Sequence, residues 1–222
     1  VSNAGVVATD TTGVGTARQS PAACSYDVDK GIMGFGHDGS VASMSNLVSS
    51  SGVIATDTTG VGTARTDLAA CEYGNDKAIF GYGYTTAGNA RVSMTNLVSN
   101  TGVVATDTTG VGTIRNFLAA CEYGGDKGIF GYGTNATTYN ISITNLVTNA
   151  GVVGTDVTGV GTARHYLAAC SYGEDKGIFG FGDDGTAELT AVTNLVSNVG
   201  VVASDTTGVG TARKNLAACS FG

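Results

Sequence analysis

One segment, Gly-Val-Val-Ala-Thr-Asp-Thr-Thr-Gly-Val-Gly-Thr-Ala-Arg, begins at Gly5 and returns, nearly letter for letter, at Gly52, Gly102, Gly151 and Gly200. The intervals are 47, 50, 49 and 49 residues, so the chain is four and a half copies of one unit. A fixed period of this length constrains the fold more than any local propensity, because a single unit cannot bury its own faces and must stack on its neighbours. Residues 1–222 are read as one domain of such units, at a length common among all-β domains.

Within a unit, four strand-like stretches alternate with turn residues. In the second copy they are Leu68–Tyr73, Lys77–Tyr82, Arg91–Val98 and Val103–Asp107. Gly, Asn and Asp at the breaks supply the positive-φ positions of tight hairpins. Alternation along the second stretch places Phe80 and Tyr82 on one face and Ile79 on the other. Apolar or small residues on both faces fit a sheet covered on both sides. Four antiparallel strands per unit, each sheet covered by its neighbours, predict an all-β fold, a β-propeller of four-stranded blades. A linear β-solenoid is the competing architecture, although its coils are usually shorter. Residues 1–27 match 196–222, which predicts four full blades and a partial fifth shared by the two termini and lacking its middle strands.

An Arg ahead of the first strand, an Asp-Lys turn and a Gly-rich second strand recur, as in Arg164, Leu167–Tyr172 and Asp175-Lys176-Gly-Ile-Phe-Gly-Phe-Gly182. This pattern resembles the kelch-like propellers over the whole chain. Kelch repeats carry a Gly-Gly doublet after the second strand, where this chain has Gly-Phe-Gly or Gly-Tyr-Gly, and a Trp that this chain lacks.

Only 13% of residues are charged, with 11 basic and 18 acidic residues giving a net charge of -7. No run of Lys or Arg exists, so a nucleic-acid partner is not expected. No apolar stretch approaches the ~18 residues that would span a bilayer, so membrane insertion is not expected. No signal-peptide pattern opens the sequence, which starts at Val1. Cys24, Cys71, Cys121, Cys170 and Cys219 sit at one repeat position in an Ala-Ala-Cys context, as buried small apolar residues rather than disulfide partners. No recurring His or second Cys completes a metal shell, and neither a metal nor another cofactor is expected.

Comparing the copies with one another separates constant turns from variable ones. The turns after the first and third strands are nearly uniform. The loops after the second strand all differ, and so do the residues after each Arg: Gln19-Ser-Pro, Thr66-Asp, Asn116-Phe, His165-Tyr and Lys214-Asn. In an up-and-down blade both variable regions emerge on one face, where loops on a rigid scaffold carry recognition. His37, Asp38, Tyr84, Asn89, Arg91, Asn135, Tyr139, Asn140, Asp183 and Asp184 are the contact candidates, because amides, carboxylates and aromatic rings suit sugars.

The recurring Asp and Arg eight residues apart, as in Asp57 and Arg65, Asp107 and Arg115, or Asp156 and Arg164, are read as structural. They would hold the crossing from the last strand of one unit to the first of the next. Enzymatic signals are sparse. His37 and His165 occupy non-equivalent loops, so no Ser-His-Asp arrangement can be drawn. A glycan-cleaving carboxylate pair would have to come from Asp183, Asp184 and Glu188, all in one loop.

These observations predict a non-enzymatic binding module whose variable face meets a carbohydrate, a host-surface group or a protein partner. The low-charge, Gly/Ser/Thr/Ala-rich repeats resemble virion appendage proteins such as phage tail or fibre components, which implies a virion or extracellular location. The alternative is a structural component of a virion or surface layer, as a homo-oligomer or a larger assembly.

Overall fold

The computed structural model describes residues 6, 7, 9–186 and 189–220. These residues form an all-β structure of antiparallel sheets without helices. Sheet I contains β1 (Ala22–Tyr26), β2 (Lys30–Gly34) and β3 (Ser45–Val48). Sheet II starts with β4 (Ala69–Tyr73) and β5 (Lys77–Gly81), passes through a side hairpin of β6 (Tyr84–Thr85) and β7 (Ala90–Arg91), and ends with β8 (Thr95–Val98). Sheet III contains β9 (Ala119–Tyr123), β10 (Lys127–Gly131) and β11 (Thr144–Val147). Sheet IV contains β12 (Ala168–Tyr172), β13 (Lys176–Asp183) and β14 (Leu189–Val196). In each sheet the second strand is central, and the register repeats: Ala69 lies opposite Gly81 in sheet II as Ala119 lies opposite Gly131 in sheet III.

The sheets are three-stranded rather than four-stranded as expected. The fourth stretch joins only through isolated bridges, Val98 to Val104 and Thr95 to Thr108 in sheet II, with the register slipping by one residue between them. The cause is Asn96. Its Nδ2 donates to the Ala105 carbonyl and to Asp107 Oδ1, each at 2.9 Å, where a regular ladder would place backbone groups. Asn46, Asn145 and Asn194 repeat this pattern.

The sheets stack in chain order, and the contact is made by one aromatic per sheet. Phe80, Phe130 and Phe179 are fully buried, and each tips against a glycine of the preceding sheet. A Cβ on Gly81 would stand 2.7 Å from Phe130 Cζ, and one on Gly131 would stand 2.7 Å from Phe179 Cζ. Glycine is therefore required there to let the ring in. Burying a Phe side chain stabilises by roughly 1.5–3 kcal/mol, so these inserts are a main source of cohesion between sheets. Tyr82 departs from the face expected of it. Its φ of 64° swings the ring off the strand alternation, and it packs with Ile79 and with Phe130 of the next sheet, 5.2 Å between centroids.

An arginine is wedged at each junction. Arg65, Arg115 and Arg164 are fully buried, and their guanidinium groups lie 4.2, 4.0 and 4.3 Å over the rings of Phe35, Tyr82 and Tyr132 in the preceding sheet. On the other side, Arg65 donates to Asn96 Oδ1 (2.6 Å), the Tyr82 carbonyl (2.9 Å) and the Thr63 carbonyl (3.2 Å). Burial lowers the Arg65 pKa to about 10, opposed by nearby Asp107. The partner of each arginine is not the aspartate eight residues before it. Arg65 stands 3.8 Å from Asp107 and Arg18 stands 3.7 Å from Asp57. The crossing segments form a chain of links: Thr16 binds Asp57, Thr63 binds Asp107, Thr113 binds Asp156 and Thr162 binds Asp205. Each crossing is thus pinned to the sheet it is about to enter.

Candidate recognition face

The two variable regions of each repeat meet through backbone pairing. Gln19 bridges His37, Thr66 bridges Tyr84, Asn116 bridges Thr134, and His165 bridges Asp183. The four loops after the second strand and the residues after each arginine therefore lie side by side.

The next residue of each copy goes further inward. Ser20, Asp67, Phe117, Tyr166 and Asn215 all have positive φ, between 51° and 56°. Their main chains join in series: the Phe117 amide donates to Asp67 O, Tyr166 to Phe117 O, and Asn215 to Tyr166 O, at 3.0, 3.1 and 3.0 Å. These five residues, with Pro21, Leu68, Leu118, Leu167 and Leu216, line one cavity of about 340 Å³. Residues from all five copies thus converge on one depression, where Leu68, Leu118 and Leu167 are the buried part of the lining.

Beside this depression, reached through Phe117 and Tyr166 of its lining, lies a chemically richer cluster. Phe117 and Tyr166 stack with centroids 4.3 Å apart, and His165 lies 4.5 Å from Tyr166 and 5.3 Å from Tyr139. His165 Nδ1 is 3.0 Å from the Asp183 carbonyl oxygen, so the proton sits on Nδ1 and donates to it. Burial lowers the His165 pKa, which keeps the ring neutral near pH 7. Lys214 Nζ donates to Asp183 Oδ2 at 2.8 Å and lies 5.8 Å over the Tyr166 ring. That bond is the first cause of the lowered Asp183 pKa. Asn140 Nδ2 donates to the Asp183 carbonyl at 3.2 Å, while its Oδ1 is buried with no hydrogen-bond partner.

Of the candidates named from sequence, the structure brings together Tyr139, Asn140 and Asp183. All the others but Arg91 make their side-chain hydrogen bonds within their own loops. Asp38 accepts from Ser40, Tyr84 from its hairpin donates to Asn89, and Asn135 Oδ1 accepts from Thr137 and Thr138. Arg91 Nε donates to Asn116 Oδ1 at 2.8 Å, which ties the hairpin of sheet II to the next repeat. His37 Nδ1 accepts from Gly39, and Asp184 accepts from Thr186. Glu188 lies outside the described residues. Phe117, Tyr166 and Lys214 are the additions; the only sign of them in the sequence is that the position after each arginine varies.

A second cavity, about 740 Å³, is lined by the first strands of all copies, including Cys24, Cys71, Cys121, Cys170 and Cys219. Glu72 and Glu122 face it. Burial, then Glu122 and Asp76, push the Glu72 carboxyl up to about 7. Among the described residues no group of three or more His, Cys, Asp or Glu is placed to hold a metal ion. No helix is long and apolar enough to cross a membrane. No protein-family model matches the chain, and no curated protein is significantly similar to it.

Proposed function

We propose that this chain is a non-enzymatic recognition module of kelch-like β-propeller type, which binds a carbohydrate or a host-surface group through its variable face. The observation that carries this reading is the convergence of the five variable positions on one depression, four of them joined in series by main-chain hydrogen bonds. The propeller reading draws support from sheets stacked in chain order and from equivalent positions of five copies that line two shared cavities. A virion appendage is the setting that the weakly charged, repetitive composition fits.

Sugar is favoured over an extended peptide by the character of the site. Aromatic rings at Tyr139, Phe117 and Tyr166 offer flat apolar faces for the C–H side of a pyranose. Asp183 and Lys214 supply an acceptor and a donor for hydroxyl groups.

The test is a broad glycan array probed with the intact chain and with Tyr166→Ala/Tyr139→Ala. Selective binding that the double variant loses supports the assignment. Absence of binding, or equal binding by both proteins, overturns it.

A further inference from the structure

The depression where the repeats meet carries a single charge. Of the residues that line it, Asp67 alone is ionisable to a charged form near neutral pH; the rest are apolar, aromatic or neutral polar. Asp67 holds the central position of the second copy, where the other copies place Ser20, Phe117, Tyr166 and Asn215. A hydroxyl, two rings and an amide occupy the same place with the same backbone, so the framework does not demand a carboxylate there.

No cation of the chain answers that charge. All 11 Lys and Arg fall among the described residues, and none comes within 4 Å of the Asp67 carboxylate. Asp183 on the same face differs, because Lys214 meets it at 2.8 Å. Arg91 stops at Asn116, whose Oδ1 takes its Nε at 2.8 Å. What Asp67 receives is neutral: Thr66 Oγ1 donates to its Oδ1 at 3.3 Å. Burial pushes its pKa up, while the side chains of Ser20, Thr66 and Asn116 and the nearby His37 draw it back towards the ionised form. A half-buried carboxylate supported only by neutral donors is a negative charge that a bound cation would relieve.

Aromatic rings stand beside it. The Phe117 amide donates to Asp67 O, and the Phe117 and Tyr166 rings stack at 4.3 Å. After burial, Asp67 is the first cause of the raised Tyr166 pKa, which puts the phenol within reach of its field. Ring faces attract an ammonium group on their own account. The depression, about 340 Å³, falls at the small end of small-molecule sites, roughly 300–1,000 Å³.

We infer that the depression selects an amine: Asp67 takes the protonated amino group of an amino sugar whose ring lies against Phe117 and Tyr166. This rests on the carbohydrate reading of the face and narrows it. An anionic sugar would be repelled by Asp67, and a neutral one would leave its charge unanswered.

Calorimetric titration of the intact chain at about pH 6.5 tests it, with the β-1,4 disaccharide of glucosamine and its N-acetylated counterpart as ligands. The two share their rings and differ in charge. The free amine is expected to bind at least about tenfold more tightly. Asp67→Asn should erase that preference by weakening the amine ligand, with the acetylated one unchanged to within about twofold. Asn is native at the equivalent position 215, with the same φ of 56°, so the variant should keep its fold and its melting temperature. Equal affinity for the two sugars, a preference that survives in Asp67→Asn, or no binding of the amine ligand overturns the inference. A lysine amide that binds as tightly as the amino sugar overturns it too, because the ring would then contribute nothing. The carbohydrate reading fails separately: neutral glycans that bind on the array and are lost in the Tyr139/Tyr166 variant leave it standing when the amine preference is absent.

Discussion

Replacing Arg65 by Met tests whether the wedged arginines act through burial between sheets. The variant keeps the length and much of the apolar stem while removing the guanidinium. Three acceptors then lose their donor: Asn96 Oδ1, the Tyr82 carbonyl and the Thr63 carbonyl. Charge-assisted bonds of this kind are worth roughly 1.5–3 kcal/mol each, and a desolvated ring contact such as that with Phe35 adds up to about 2 kcal/mol. Against that stands the relief from burying a cation, which recovers several kcal/mol. The balance is a loss of about 3–5 kcal/mol, the range found when one partner of a buried ionic network is removed. Arg213→Met is the internal control. Arg213 lies 4.2 Å over the Phe181 ring in the same manner, but it is exposed, and its loss should cost no more than about 1 kcal/mol. Urea unfolding with linear extrapolation measures both. Equal costs for the two variants would refute the argument, because they share the motif and the ring contact and differ in burial.

Two further predictions concern the inner cavity. Glu72 has a folded pKa raised to about 7, from an ordinary value near 4.5, so the folded chain holds its proton more tightly than the unfolded chain does. The stability it contributes is fully present below about pH 4.5 and is lost as pH rises through about 7. Glu72→Gln should therefore be more stable than the original chain at pH 8, by about 1–2 kcal/mol after allowance for solvent screening, and the gain should vanish at pH 4. Denaturant midpoints at the two pH values check this. Among the thiols, Cys219 is exposed, whereas Cys71 and Cys121 are buried and have their pKa raised by desolvation. A thiol reagent under native conditions should label Cys219 first, and labelling of Cys71 should require unfolding, as peptide mapping of the adduct would show.

Much of the fold was legible because the repeat marks its own strands. The second copy was expected to begin strands near Leu68 and Lys77, and β4 and β5 run Ala69–Tyr73 and Lys77–Gly81. What escaped were features set by backbone dihedrals or by the neighbouring copy. Alternation cannot announce that Tyr82 takes φ 64° and changes sides. The eight-residue spacing of Asp57 and Arg65 pointed to a pair within one crossing, but stacking hands Arg65 to Asp107, 42 positions on. The fourth strand failed to form a regular ladder because Asn96 puts a side-chain amide where main chain was expected. Variation between copies singled out the loops that pair beside the depression, and Tyr139, Asn140 and Asp183 of those loops lie together around His165. Phe117, Tyr166 and Lys214 were left out of the contact candidates because variation after each arginine does not say which residue turns inward, which the positive φ of Phe117 and Tyr166 decides.

The way those central positions are held has a consequence for how the face can change. Asp67, Phe117, Tyr166 and Asn215 are joined to one another by main-chain amides and carbonyls, and the bridges from Thr66, Asn116 and His165 to the neighbouring loops are also main chain. The main-chain part of that framework does not depend on side-chain type, which is how an acid, two aromatics and an amide occupy equivalent places, although the Asp67 carboxylate also accepts from Thr66 Oγ1 at 3.3 Å. Sheet-to-sheet cohesion sits elsewhere, in Phe80, Phe130, Phe179 and the arginines. Copying a unit and then altering its central residue exchanges one group in the depression and leaves those inter-sheet supports in place. The chain is in effect a mount with interchangeable tips, and under the proposed function its specificity would be rewritten one repeat at a time.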